Sequence, residues 1–201
     1  MRQSILACCV ILALGLLSGC SEEKRFYANP TSEADADELA IRKDLANLAL
    51  GAKSDDPTSS VAYDTAINNL MLRGATIETR LIDTLRSSPD AWIRIGCVEV
   101  LTAVATKASI EHLIAVLDDE APLVTQRANI ALQTLTGQRM IAAVGKPDAL
   151  LLPPVPARPD NDKALDAEER IWTTWHITHK TELKAAWERW WIANKARFTL
   201  K

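Results

Sequence analysis

The sequence is poor in the residues that form disulfide frameworks. It has 4 cysteines in 201 residues, but Cys8 and Cys9 lie in an N-terminal apolar run, Cys20 follows that run, and Cys97 stands alone in the rest of the chain. One remaining thiol cannot form a framework. Cys97 lies in the apolar stretch Ile95–Val98, so we expect a small buried side chain rather than a redox or nucleophilic centre.

The sequence also lacks a cluster of positive charge and a long apolar run. Lys and Arg number 23 against 26 Asp and Glu, a net charge of −3, and the basic residues are dispersed. Nucleic-acid binding needs clustered cations to neutralise phosphates, so that class of function is excluded. The longest apolar run covers about 14 residues, Ser4 to Leu17, which is short of the roughly 20 that a bilayer core requires.

Familiar catalytic motifs are missing as well. The chain has no Gly-x-Ser-x-Gly, no phosphate-binding Gly-x-x-x-x-Gly-Lys, no Gly-x-Gly-x-x-Gly and no His-Glu-x-x-His. The acidic run at residues 118–120 is typical of a turn between helices. We therefore predict no catalytic residues, no metal and no cofactor.

The N-terminus does contain a distinctive succession of charge, apolar residues and cysteine. Arg2 supplies a short cationic region, the apolar run follows, and residues 17–20 read Leu-Ser-Gly-Cys. Together these resemble a bacterial lipoprotein signal peptide with its lipobox. The resemblance implies removal of residues 1–19, lipidation of Cys20, and a protein held in the cell envelope facing the periplasm. Because Ser21 stands where an aspartate would favour the inner membrane, the outer membrane is favoured.

The region after Cys20 is predicted to be a tether. Residues 20–37 are polar and acidic, include Pro30, and carry no helical apolar stripe. Such a segment favours a flexible spacer between the lipid and the folded domain.

Residues 38–137 contain an internal repeat of helical pattern. Residues 81–85 (Leu-Ile-Asp-Thr-Leu) align with residues 113–117 (Leu-Ile-Ala-Val-Leu) at an offset of 32. Residues 100–104 align with residues 131–135 at an offset of 31 and with residues 66–70 at an offset of 34. A period in the low thirties is typical of stacked helix pairs. We predict three such pairs, over 38–74, 76–106 and 109–137.

The second pair carries a family resemblance. Residues 89–94 read Pro-Asp-Ala-Trp-Ile-Arg, and Gly96-Cys97 and Val100-Leu101 follow, which resembles a HEAT repeat. In the third pair Thr125 replaces the arginine, and the first pair lacks the motif. The resemblance implies an all-α fold, a short α-solenoid of HEAT-like helix pairs; a non-repetitive helical bundle is the alternative.

The last third divides into a linker and a tryptophan-rich helix. Gly137 suits a left-handed helix C-cap. Residues 138–163 hold five of the 9 prolines and predict an extended linker. Residues 164–201 are predicted as one long helix, or two helices broken near Thr178. Seven residues form a candidate face for partner binding or packing: Trp172, Trp175, His176, His179, Trp187, Trp190 and Trp191.

Two roles for this face remain open. It can bind a ligand or partner, because exposed tryptophan is a common interface anchor, or it can cap the open end of the repeats. A Leu-Thr-Gly followed by a terminal Trp-x-x-Trp-Trp resembles short envelope HEAT-repeat proteins of bacteria such as planctomycetes, which implies the cap. His176 and His179 with Glu182 are a weak metal candidate, since a catalytic zinc normally has three protein ligands.

These observations lead to one expected function and two alternatives. We expect a monomeric, non-enzymatic scaffold, attached to the membrane through its lipid and binding another envelope protein through its repeat surface. The first alternative is a ligand- or metal-binding lipoprotein, or an enzyme, that uses the Trp/His face. The second is a spacer without a partner.

Overall fold

The computed structural model describes residues 32–53, 55–140 and 162–200, without the side chains of residues 162–169, 171 and 172. The predicted signal peptide, Cys20 and most of the predicted tether and linker lie outside these ranges. The chain divides into two compact units, Met1–Ala40 and Ile41–Lys201. Of the first unit, the described residues are 32–40.

The described residues are helical and contain no strand, as the sequence predicts for the fold class. The seven α-helices are α1 (Glu33–Asn47), α2 (Pro57–Leu72), α3 (Glu78–Ser87), α4 (Ala91–Val104), α5 (Ser109–Ala115), α6 (Pro122–Thr136) and α7 (Asp162–Asn194). Short 3-10 turns at Leu48–Lys53, Gly74–Ile77 and Val116–Asp118 connect or extend them.

The helix ends follow from local chemistry. The Asp56 carboxylate accepts a hydrogen bond from the Ser59 N–H at 2.9 Å, and Pro57 occupies the first position of α2. Asp90 does the same for α4 by accepting from the Trp92 N–H at 2.8 Å. Such caps satisfy N–H groups that have no partner within the helix. At the other end, Gly137 adopts φ 72° after α6, which confirms the predicted left-handed cap.

Two helices begin elsewhere than the sequence indicates. α1 begins at Glu33, inside the predicted tether, where the Ser32 hydroxyl accepts from the Asp35 N–H at 3.1 Å and acts as a cap. α7 begins at Asp162 and continues unbroken past Thr178 to Asn194. The Thr178 hydroxyl donates to the Thr174 carbonyl at 2.6 Å, so this threonine bonds within the helix instead of interrupting it.

In the second unit, neighbouring helices share one apolar core. α2 packs on α4, α4 on α6, and α3 on both α4 and α5, while α7 packs on α5, α6 and the turn that follows α5. Leu48 and Gly96 approach closely: a Cβ on Gly96 would lie 2.8 Å from Leu48 Cδ2. Cys97 is fully buried, and burial raises the pKa of its thiol to about 12. It is therefore the small apolar side chain that the sequence predicts.

Candidate functional site

The structure separates the predicted tryptophan and histidine residues into two groups. The side chain of Trp172 lies outside the described residues. Trp175, His176, Trp187 and Trp191 are buried, whereas His179 and Trp190 are partly exposed. One long helix therefore presents its aromatic residues to two different environments.

The buried group forms the contact between α7 and the helices before it. The Trp187 indole N–H donates to Asn129 Oδ1 on α6 at 3.0 Å, and both side chains are buried. The Trp191 indole N–H donates to Glu111 Oε1 on α5 at 2.9 Å. We call Trp187, Trp191 and these two acceptors the cap contact. A buried indole N–H needs an acceptor, and here each tryptophan finds one on a different helix.

Charges strengthen the cap contact at its edge. Lys195 Nζ lies 3.1 Å from Glu111 Oε1. The hydrogen bond from Trp191, together with that from Lys195, lowers the pKa of Glu111. Lys184 Nζ lies 2.6 Å from Asp118 Oδ2. The carboxylates of α5 and its following turn thus face donors supplied by α7.

The two histidines of α7 lie against Trp175. The His179 ring stacks on Trp175 with centroids 4.8 Å apart, and His179 Nδ1 lies 2.9 Å from the Trp175 carbonyl oxygen. His176 is 2% exposed and meets the same tryptophan edge-on. In the described part of the chain, no three His, Cys, Asp or Glu side chains are grouped so that they could hold a metal ion. This arrangement favours packing.

Trp190 differs from its neighbours. Its ring contacts Trp187, Trp191 and Phe198, with centroid distances of 5.7, 6.2 and 5.8 Å. Its indole N–H has no hydrogen-bond acceptor among the described residues and is not buried. Trp190 lines an open cleft instead.

The cleft lies where the C-terminal ends of α4, α6 and α7 meet. Its volume is about 780 Å³, within the range of small-molecule sites. We call it the C-terminal cleft, and the residues that carry its chemistry are Thr102, Thr134, Thr136, Trp190, Asn194 and Arg197. Sequence reasoning placed Trp190 on the candidate face but did not connect it with the threonines or Arg197. The available signal was a leucine-threonine pair near the C-terminal ends of two helices, Leu101-Thr102 in α4 and Leu135-Thr136 in α6.

A second polar feature crosses the helices α2, α4 and α6. The Tyr63 hydroxyl donates to Glu99 Oε2 at 2.6 Å, and Arg127 Nε lies 3.8 Å from Glu99 Oε1. Burial and the bond to Glu99 raise the pKa of Tyr63 above its ordinary value. A phenol held neutral and bonded in this way links helices and has no use as a base.

Two broader results bear on the identity of the protein. Across the described ranges, every helix is too short or too polar to serve as a membrane span. A scan of protein-family models, a search of curated proteins and a search of solved structures each return no match for this chain.

Proposed function

We propose that the protein is a lipid-anchored, non-catalytic scaffold of the bacterial cell envelope that binds another envelope protein through HEAT-like helix pairs. The anchor is Cys20, preceded by the export signal and lipobox pattern in residues 1–20. Two or more acyl chains make such an anchor stable, since each buried methylene contributes about 0.8 kcal/mol.

The order of helix packing supports the repeat interpretation. The second helix of each predicted pair packs on the second helix of the next pair, α2 on α4 and α4 on α6, and the first helices α3 and α5 also meet. Helix pairs that stack only on their neighbours bury apolar faces that no single pair covers alone. The same order is expected for a short α-solenoid.

Arg94, the arginine of the second pair, also supports the repeat interpretation. Arg94 donates to both oxygens of Asp119, at 2.9 and 2.8 Å, and to the Ser88 and Pro89 carbonyls. It thereby joins the turn of its own pair to the turn of the next. Its guanidinium and the Asp119 carboxylate are nearly buried, which suits a planar bidentate bond.

The third pair carries no such arginine, and α7 supplies the cation instead. Thr125 occupies the aligned position, is fully buried, and its hydroxyl has no hydrogen-bond partner in the described residues. Lys180 of α7 donates to the carbonyls of Asp118 and Asp119 at 3.4 and 3.2 Å. A terminal element that replaces the next repeat is what a helical stack needs at its open end.

The observation that carries the scaffold function is the exposed side of the second helices. Glu99, Arg127 and Ile130 follow one another across α4 and α6, and Ile130 is 45% exposed although it is a large apolar residue. Stacked helix pairs build extended surfaces that bind proteins, and these three side chains, one apolar and two charged, lie across two adjacent pairs. We assign the partner to this side.

Site-specific photocrosslinking in the cells that make the protein tests this assignment. A photoreactive residue at Ile130 is expected to yield a discrete crosslinked product, which mass spectrometry identifies as another envelope protein. The same residue at Thr79, exposed on α3, is the matched control and is expected to yield little of that product. Recovery of the uncrosslinked protein alone from Ile130, or equal yields from both positions, refutes the assignment.

The anchor is tested by Cys20→Ala. We expect this change to abolish labelling by a radioactive or clickable fatty acid and to leave the uncleaved precursor. Cys97→Ala is the control, because a fully buried thiol is not a lipid acceptor. Continued labelling of the Cys20 variant contradicts lipidation at Cys20, but it does not bear on whether the helix pairs bind a partner protein.

A further inference from the structure

We draw no further inference here: the strongest candidate, the exposed side of α7 that carries Ile177 and Ile192, is an apolar surface for which nothing in the structure shows what covers it.

Discussion

Three tryptophans of α7 have different surroundings. Trp187 and Trp191 pack against other helices, whereas Trp190 lines the C-terminal cleft. The first two donate their indole N–H groups to Asn129 and Glu111 and are buried against other helices. Trp190, between them in the sequence, faces the C-terminal cleft. Positions 187 and 191 are one turn apart and share a face, whereas position 190 is rotated from both. A helix can therefore cap the repeats with one face and line a cleft with the next.

The largest difference between the two regions should appear in stability. Trp187→Ala removes a fully buried side chain and is expected to lower the free energy of unfolding by about 3–5 kcal/mol. Trp190→Ala, at a partly exposed position, should cost less than half of that. Urea unfolding of both variants measures the difference. Equal losses of unfolding free energy would mean that both tryptophans stabilise the cap contact, and the proposed difference between Trp187 and Trp190 would be wrong.

A smaller effect is expected at the acceptor of Trp187. Asn129→Ala leaves the Trp187 indole N–H buried without its partner, which should cost about 1–3 kcal/mol. The same change in a Trp187→Phe background should cost markedly less, because no N–H remains to be satisfied. Denaturant unfolding of the four proteins in this cycle measures the coupling. An Asn129 effect that is unchanged in the Phe background contradicts the importance of this hydrogen bond.

The smallest effect concerns pH. The folded pKa of Glu111 is lowered by the Trp191 hydrogen bond and by Lys195, from an ordinary value of 4.5. Its contribution is therefore complete above that value and is lost as the pH falls through the lower folded pKa. Because Glu111 is half exposed, we expect a loss of less than about 1 kcal/mol between about pH 5 and about pH 3.

Glu111→Gln keeps an acceptor for Trp191 and removes the titrating group, so the acid-dependent loss should shrink in this variant. Glu188→Gln, at an exposed carboxylate of α7, should leave the acid-dependent loss of stability unchanged. Thermal unfolding at several pH values measures both. An unchanged profile for Glu111→Gln would show that the edge of the cap contact carries no pH-dependent stability.

Local patterns predicted much of the helical structure. The apolar spacing and the turn residues indicated pairs near 76–106 and 109–137, where α3–α4 and α5–α6 lie. Gly137 and Cys97 behave as predicted because a left-handed cap and a small buried side chain depend on nearby sequence. The start of α1 was placed too late because residues 33–37 have no apolar stripe; a single cap at Ser32 begins the helix instead.

The C-terminal cleft could not be predicted from the same patterns. Its threonines come from α4 and α6, and its other side comes from the C-terminal end of α7 and the residues after it, beyond the predicted linker. Nothing in the spacing of Thr102 and Arg197 shows that the ends of these helices meet. The sequence also placed all the tryptophans of α7 in one candidate face, because residue spacing shows which side chains are neighbours on a helix but not what each one contacts.

The sequence by itself determined the all-helical class, the left-handed cap at Gly137 and the small buried side chain of Cys97, because propensity, capping and periodicity act over a few residues. Only the tertiary structure decided which tryptophans are buried, which cation completes the turn after α5, and where three helix ends form a cleft. Those outcomes depend on contacts between residues far apart in the chain, such as Trp187 with Asn129 and Lys180 with Asp119.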